Sequence, residues 1–166
     1  ATDYLSKPVE LSVLEIKIAS ALEKNILQSN LEQMALYDQL TGLFNRHSIL
    51  SALEEFESAY HEDGTDFGIL TIDIDNFKKI NDKYGHDIGD QALQHLSKVV
   101  GQVIRGQDLF GRLGGEEFII GSHHISFPDF IDVSERVRQA VETNNMVLQE
   151  EILPFTVSGG VYHTTT

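Results

Sequence analysis

The residues best suited to chemistry in this chain are paired acids. Glu116 and Glu117 follow Gly114-Gly115 and precede the apolar run Phe118-Ile119-Ile120. Asp73 and Asp75 close a second apolar run, Gly68-Ile69-Leu70-Thr71-Ile72, and flank Ile74. Carboxylates at the mouth of a buried strand are costly to place unless something pairs with them. A divalent cation is the natural partner, and phosphate chemistry is the usual reason to hold one. On an extended chain Asp73 and Asp75 face the same side. Brought opposite the acids of the glycine turn, they can bracket one or two Mg2+ ions, shared with substrate phosphates and water.

Particular elements must position these acids. Glycine takes positive φ freely, so Gly114-Gly115 reads as the tight turn of a β-hairpin, and the run after it as a buried strand. Residues 68–75 read as a central strand. The chain then turns over residues 76–80, and residues 81–87 form a polar connection. A helix follows from about Asp90, with Ala92, Leu93, Leu96, Val99 and Val100 at helical spacing. Val133, Val137, Ala140 and Val141 mark another helix in the same way.

Four separated motifs, in order, carry a family resemblance. They are Asp38-Gln39-Leu40-Thr41-Gly42-Leu43-Phe44-Asn45-Arg46; Asp73-Ile74-Asp75-Asn76-Phe77-Lys78-Lys79-Ile80-Asn81-Asp82; Gly85-His86-Asp87-Ile88-Gly89-Asp90; and Gly111-Arg112-Leu113 with the Gly-Gly-Glu-Glu-Phe turn. Residues 38–166 resemble the diguanylate cyclase (GGDEF) domain, in which two GTP molecules condense to cyclic di-GMP. The resemblance implies that Asp73, Glu116 and the backbone carbonyl of Ile74 are ligands of Mg2+ (or Mn2+). It implies that Glu117 is a third acid near the metals, as ligand or base. Asn81 and Asp90 become the guanine readers, with an Asp accepting from guanine N1–H and N2–H2. Phe77 and Lys78 become the turn whose backbone N–H groups meet the phosphates. Each domain holds one GTP, so catalysis requires a homodimer that brings two half-sites face to face. Arg105-Gly106-Gln107-Asp108 falls at the offset of the family's inhibitory product site, with Arg136 as a second arginine for cyclic di-GMP. His47 stands where the family more often has an arginine.

The fold implied is α+β. A central, mostly antiparallel sheet of about five strands is flanked by helices, like the palm of polymerases and nucleotidyl cyclases. Strands are expected near 67–75, 109–112, 116–121 and 155–162, and helices near 9–35, 45–60, 90–104 and 128–144.

Composition excludes some alternatives. With 12 basic and 26 acidic residues the formal charge is −14, which argues against a nucleic acid or an anionic membrane as partner. There is no cysteine for disulfides, no long apolar span and no visible signal peptide, so a cytoplasmic location is expected. At the N-terminus, Asp3-Tyr4-Leu5-Ser6-Lys7-Pro8 before a helix resembles the end of a response-regulator receiver domain, which implies an upstream histidine kinase. The expected division is a receiver remnant over 1–24, a linker helix over 25–37 and the cyclase domain over 38–166. Leu11, Leu14, Ile18 and Ala21, then Leu27, Leu31 and Met34, form a stripe that could pair with a second copy. The family continues past this point into a last helix with basic, phosphate-gripping residues and a final strand. The expectation is therefore of a chain cut at both ends, with turnover by the fragment in question.

Plainer readings exist for each motif. Gly114-Gly115 could be only a turn. An EF-hand loop starting at Asp73 fails, because Lys78 and Tyr84 occupy the positions that need Gly and Glu. Asp90 could be an N-cap, Arg105 and Asp108 a surface salt bridge, and His86-Asp87 and His123-His124 ordinary surface pairs. The competing functions are a non-catalytic cyclic di-GMP sensor and a dimerisation module.

Overall fold

A computed structural model describes residues 11–148 and 151–165. The chain divides into two compact units, residues 1–35 and 36–166. In the first, helix α1 (Leu11–Leu36) exposes Ile16, Ile18, Leu22 and Ile26. The receiver-like strand Asp3–Pro8 lies outside the described residues, as do the stripe side chains of Leu11, Leu14, Leu27, Leu31 and Met34.

The second unit runs α2 (Arg46–Asp63), β1 (Phe67–Ile74), α3 (Phe77–Tyr84), α4 (His86–Gly101), β2 (Leu109–Gly114), β3 (Glu117–His123), α5 (Phe127–Thr143), β4 (Met146–Leu148), β5 (Glu151–Leu153) and β6 (Val157–His163). The main sheet has the order β2-β3-β1-β6 with every neighbour antiparallel. The expected α+β palm is present. Among the described residues its sheet holds four strands rather than five, and β4 and β5 pair separately as a small hairpin.

β1 alternates as a half-buried strand should: Leu70, Ile72 and Ile74 point into the main core and Thr71 and Asp73 point out. The inward face meets Phe110, Phe118 and Ile120 of the hairpin and the apolar sides of α4 and α5. On the outward face α2 lays Ile49 and Leu53 against Ile119. This approach is close: a Cβ on Gly111 would lie 2.6 Å from Ile49, and one on Gly121 would lie 2.4 Å from Leu53. α2 thus roofs the end of the outward face around Gly111 and Gly121. Asp73 and Glu117, at the other end, remain exposed.

The segment read as a turn and polar connection is helix α3. Its sequence offers only Phe77, Ile80 and Tyr84 as apolar anchors, and its first neighbour Asn76 is left-handed (φ 58) with no side-chain cap. Neither usual start signal is therefore visible. Gly85 (φ 87) ends α3 by donating its N–H to the Asn81 carbonyl, and α4 starts at His86, not Asp90. Asp90 is interior to α4, so the N-cap reading of that residue is corrected.

Candidate active site

The hairpin sets the acids. Gly114 still pairs with Glu117, so the two-residue turn is Gly115-Glu116, one step later than the sequence suggested. Gly115 takes φ 54 at the first turn position, where a hairpin of this kind needs glycine. A bulge between Arg112 and Gly114 absorbs the extra residue. Glu117 then stands directly opposite Asp73 across β3 and β1. Opposed side chains of this kind have Cβ atoms about 5 Å apart, and like charges there repel. Glu116, half-buried, sits in the turn next to this pair. Ile74 is buried, so it can offer the site only backbone.

Burial first, then the charges of Glu117 and Asp75, hold the Asp73 carboxyl above its ordinary pKa. No basic side chain among the described residues enters this balance. The cleft over these acids has a volume of roughly 420 Å3 and is lined by Thr71, Asp73, Leu113, Glu117, Ser158 and Gly160, among others. Asp75 leaves the strand and turns aside. Its two oxygens accept from the Thr156 hydroxyl at 2.6 Å and the Ser158 hydroxyl at 2.7 Å, and its N–H donates to the Thr156 carbonyl. It is therefore not a second open carboxylate on the face of Asp73, as its spacing suggested. Among the described residues no three acids or histidines form a ready metal cage. The donor set is a few carboxylates and a backbone carbonyl. That set suits Mg2+, which keeps waters and takes further oxygens from substrate phosphates.

α3 begins where β1 ends, so the first-turn amides of Phe77 and Lys78 lie beside the acids, with Phe77 buried as an anchor and Lys78 exposed. Such amides have no intrahelical partner and suit anions. One turn on, Asn81 closes on α4 over Gly89: a Cβ there would lie 1.9 Å from Asn81 Oδ1 and 3.3 Å from the Phe77 ring. Asp90, the next residue, is exposed. Asn81 and Asp90 are thus carried on two packed helices with no space for a side chain between Asn81 and position 89.

Arg105 and Asp108 lie at the far end of β2 from the glycine turn, about 20 Å along the strand. Asp108 Oδ2 accepts the Arg105 backbone N–H at 2.7 Å, and the Asp108 N–H donates to the Arg105 carbonyl. This corrects the salt-bridge reading: the aspartate shapes the turn, and the exposed guanidinium makes no ion pair or hydrogen bond among the described residues. Arg136 is exposed on α5 and makes no hydrogen bond with Arg105 or Asp108, whereas Arg138 is tied to Glu135 and Glu142. His123 stacks edge-on against Phe56 and lies beside His124.

Arg112 is a site residue whose role its sequence motif does not reveal. Arg112 Nη1 donates to both oxygens of Asp38 at 3.1 and 3.2 Å, while Nε and Nη2 donate to the Gly115 carbonyl at 3.1 and 2.7 Å. Asp38 also accepts from the Thr41 N–H and hydroxyl. Burial works against its ionisation, yet Thr41 and Arg112 together hold its pKa below the usual value. An arginine two residues before a glycine turn, with a lone acid, Asp38, opening the first motif upstream, was the available signal.

The family described as "Diguanylate cyclase, GGDEF domain" matches residues 35–166. The chain is 34% identical over 171 residues to "Response regulator PleD" of Caulobacter vibrioides, covering 98% of this chain and 38% of that protein. It is 35% identical over 163 residues to "Diguanylate cyclase A" of Treponema denticola, covering 96% of this chain and 42% of that protein. The chain thus spans about two fifths of the length of these curated relatives. Among solved structures, the coiled coil and GGDEF domain of DgcB from Caulobacter crescentus, in complex with c-di-GMP, superposes with a TM-score of 0.77 at 29% identity, covering 90% of this chain and 82% of that one. SiaD of Pseudomonas aeruginosa, in complex with its activator SiaC, gives 0.76 at 34% identity, covering 92% and 58%. A fold of this topology, with acids facing each other beside a glycine turn, defines a nucleotidyl cyclase palm. The chain belongs to the GGDEF family of diguanylate cyclases.

Proposed function

We propose that this domain condenses two GTP molecules into cyclic di-GMP and pyrophosphate. The observation that carries the proposal is the uncompensated acid pair Asp73–Glu117 beside Glu116, at the end of the sheet that α2 leaves bare. In each transfer the 3′-hydroxyl of one GTP attacks the α-phosphorus of the other in line, and pyrophosphate leaves with the broken α–β bond. Asp73, Glu116 and the Ile74 carbonyl would hold Mg2+ or Mn2+, which when bound neutralises phosphate charge and lowers the pKa of the attacking hydroxyl. Glu117 lines the same cleft and serves as the third acid, as a further ligand or as the base that accepts the proton of that hydroxyl. The first-turn amides of Phe77 and Lys78 meet phosphate oxygens, and Asn81 and Asp90 read guanine by its hydrogen-bonding edge. A second copy must supply the other GTP, so a homodimer is the working state.

Product restraint belongs to the same reading. Arg105, whose guanidinium is unengaged among the described residues, and Arg136 can meet phosphate or stack on a base of cyclic di-GMP, beside Asp108. Control by an upstream receiver and its histidine kinase, in the cytoplasm, is supported by the receiver-like start and by the similarity to PleD. No helix of the described residues is long and apolar enough to cross a membrane.

One assay tests these roles: GTP with Mg2+, following pyrophosphate and cyclic di-GMP. Glu116→Gln and Asp73→Asn should each lower turnover by roughly 100-fold or more, equivalent to about 3 kcal/mol of lost charge stabilisation. Arg105→Ala should turn over normally and resist added cyclic di-GMP. Product formation by Glu116→Gln at the parent rate overturns the metal assignment.

A further inference from the structure

We infer that Arg112 is a positioning residue for the acidic turn, and that it couples that turn to the segment by which the chain enters the domain. The inference rests on the cyclase reading for its catalytic consequence, and on geometry alone for its structural one. Arg112 spends both sides of its guanidinium. One side grips Asp38, and the other converges on the single carbonyl of Gly115 at 3.1 and 2.7 Å. The side chains are 14% exposed for Arg112 and 25% for Asp38, so water competes weakly for the bonds.

The Gly115 carbonyl shares a rigid peptide plane with the N–H of Glu116. Two donors on that oxygen therefore fix the plane from which the Glu116 side chain departs. Gly115, at φ 54, has no Cβ to limit its own rotation, so the restraint must come from outside the turn. Asp38 in turn is held by Thr41 and cannot swing away. The entering segment is strapped along the edge of β2 as well. Phe44 bridges Gly111, accepts the Arg112 N–H at 2.9 Å and donates to the Phe110 carbonyl at 3.3 Å. Tyr37 stacks on the Phe44 ring at 5.3 Å. A displacement of residues 37–44 is thus carried to Gly115 by the Arg112 side chain, and to β2 by the Phe44 backbone.

Lysine has no fork with which to serve both partners, so Arg112→Lys separates the two functions of the residue. In the intact chain, amide exchange at residues 114–117 should quicken by about 10-fold, the size of one lost hydrogen bond. Exchange in the β1–β6 ladder should stay as in the parent. With GTP and Mg2+, kcat should fall by about 10-fold while KM stays within about 2-fold, because Asn81, Asp90 and the α3 amides are untouched. Asp38→Asn, which keeps a neutral acceptor, should move both readouts in the same direction by less. Unchanged exchange at 114–117, or exchange quickened equally everywhere, overturns the inference, as does an active parent whose Arg112→Lys variant keeps its kcat. A parent chain that makes no product counts against the cyclase reading instead, and the exchange measurement still tests Arg112.

Discussion

Asp73 and Glu117 face each other across two strands, and among the described residues no basic side chain offsets Asp73. The consequence can be measured without turnover. A carboxyl whose folded pKa is raised favours folding in its protonated form. That contribution is full below the ordinary value of 3.8 and is lost as pH rises through the raised one. In metal-free buffer at neutral pH, Asp73→Asn should therefore melt above the parent, and the gap should close as pH falls through the acid range. Millimolar Mg2+ should raise the melting temperature of the parent and not of the variant; equal responses would deny Asp73 a role in holding the ion. Gly89 gives a second test at this scale. Gly89→Ala should displace Asn81 and weaken GTP binding about 10-fold in calorimetry, by roughly one hydrogen bond, with the melting curve retained. The types and spacing of Asp73, Glu116, Glu117, Asn81 and Asp90 were legible in the sequence. The diversion of Asp75 to Thr156 and Ser158 was not, because those hydroxyls lie more than eighty residues away.

At the scale of elements, strong periodicity was readable and weak periodicity was not. β1, the hairpin and α5 fall within a few residues of expectation, because apolar residues recur on one face of each. α3 is eight residues long with three apolar contacts, and β4 and β5 have three residues each. Such pieces exist through tertiary packing rather than local preference. The turn was misplaced by one residue because two adjacent glycines leave the register open until the bulge at Leu113 is seen. Phe118 then ties the hairpin to the core: it is fully buried and lies near Phe110, with ring centroids 6.0 Å apart. Phe118→Ala should cost about 3–5 kcal/mol in urea denaturation. A loss under about 1 kcal/mol would mean that the turn is supported from elsewhere.

For the whole molecule, charge and assembly are linked. On the proposed reading two copies meet face to face, and each carries a formal charge of −14. Their approach is opposed at low ionic strength and eased by screening. Cyclic di-GMP formed per chain should fall on dilution and rise as salt is brought from about 0.01 to 0.15 M, where the screening length shortens from about 30 to 8 Å. A per-chain rate independent of dilution would remove the requirement for two half-sites.

β1 carries Asp73 and is sewn on one side to β3 and on the other to β6, whose Gly160 lies 89 residues downstream of Thr71. Pairings this distant in sequence form late, since the intervening chain must be closed first. A nascent polypeptide leaving the ribosome can build its acidic hairpin well before the wall of Ser158 and Gly160 arrives. On the proposed function, nucleotide capture therefore has to wait for β6, and a chain stalled before residue 157 would emerge with its acids in place and one wall of the cleft missing.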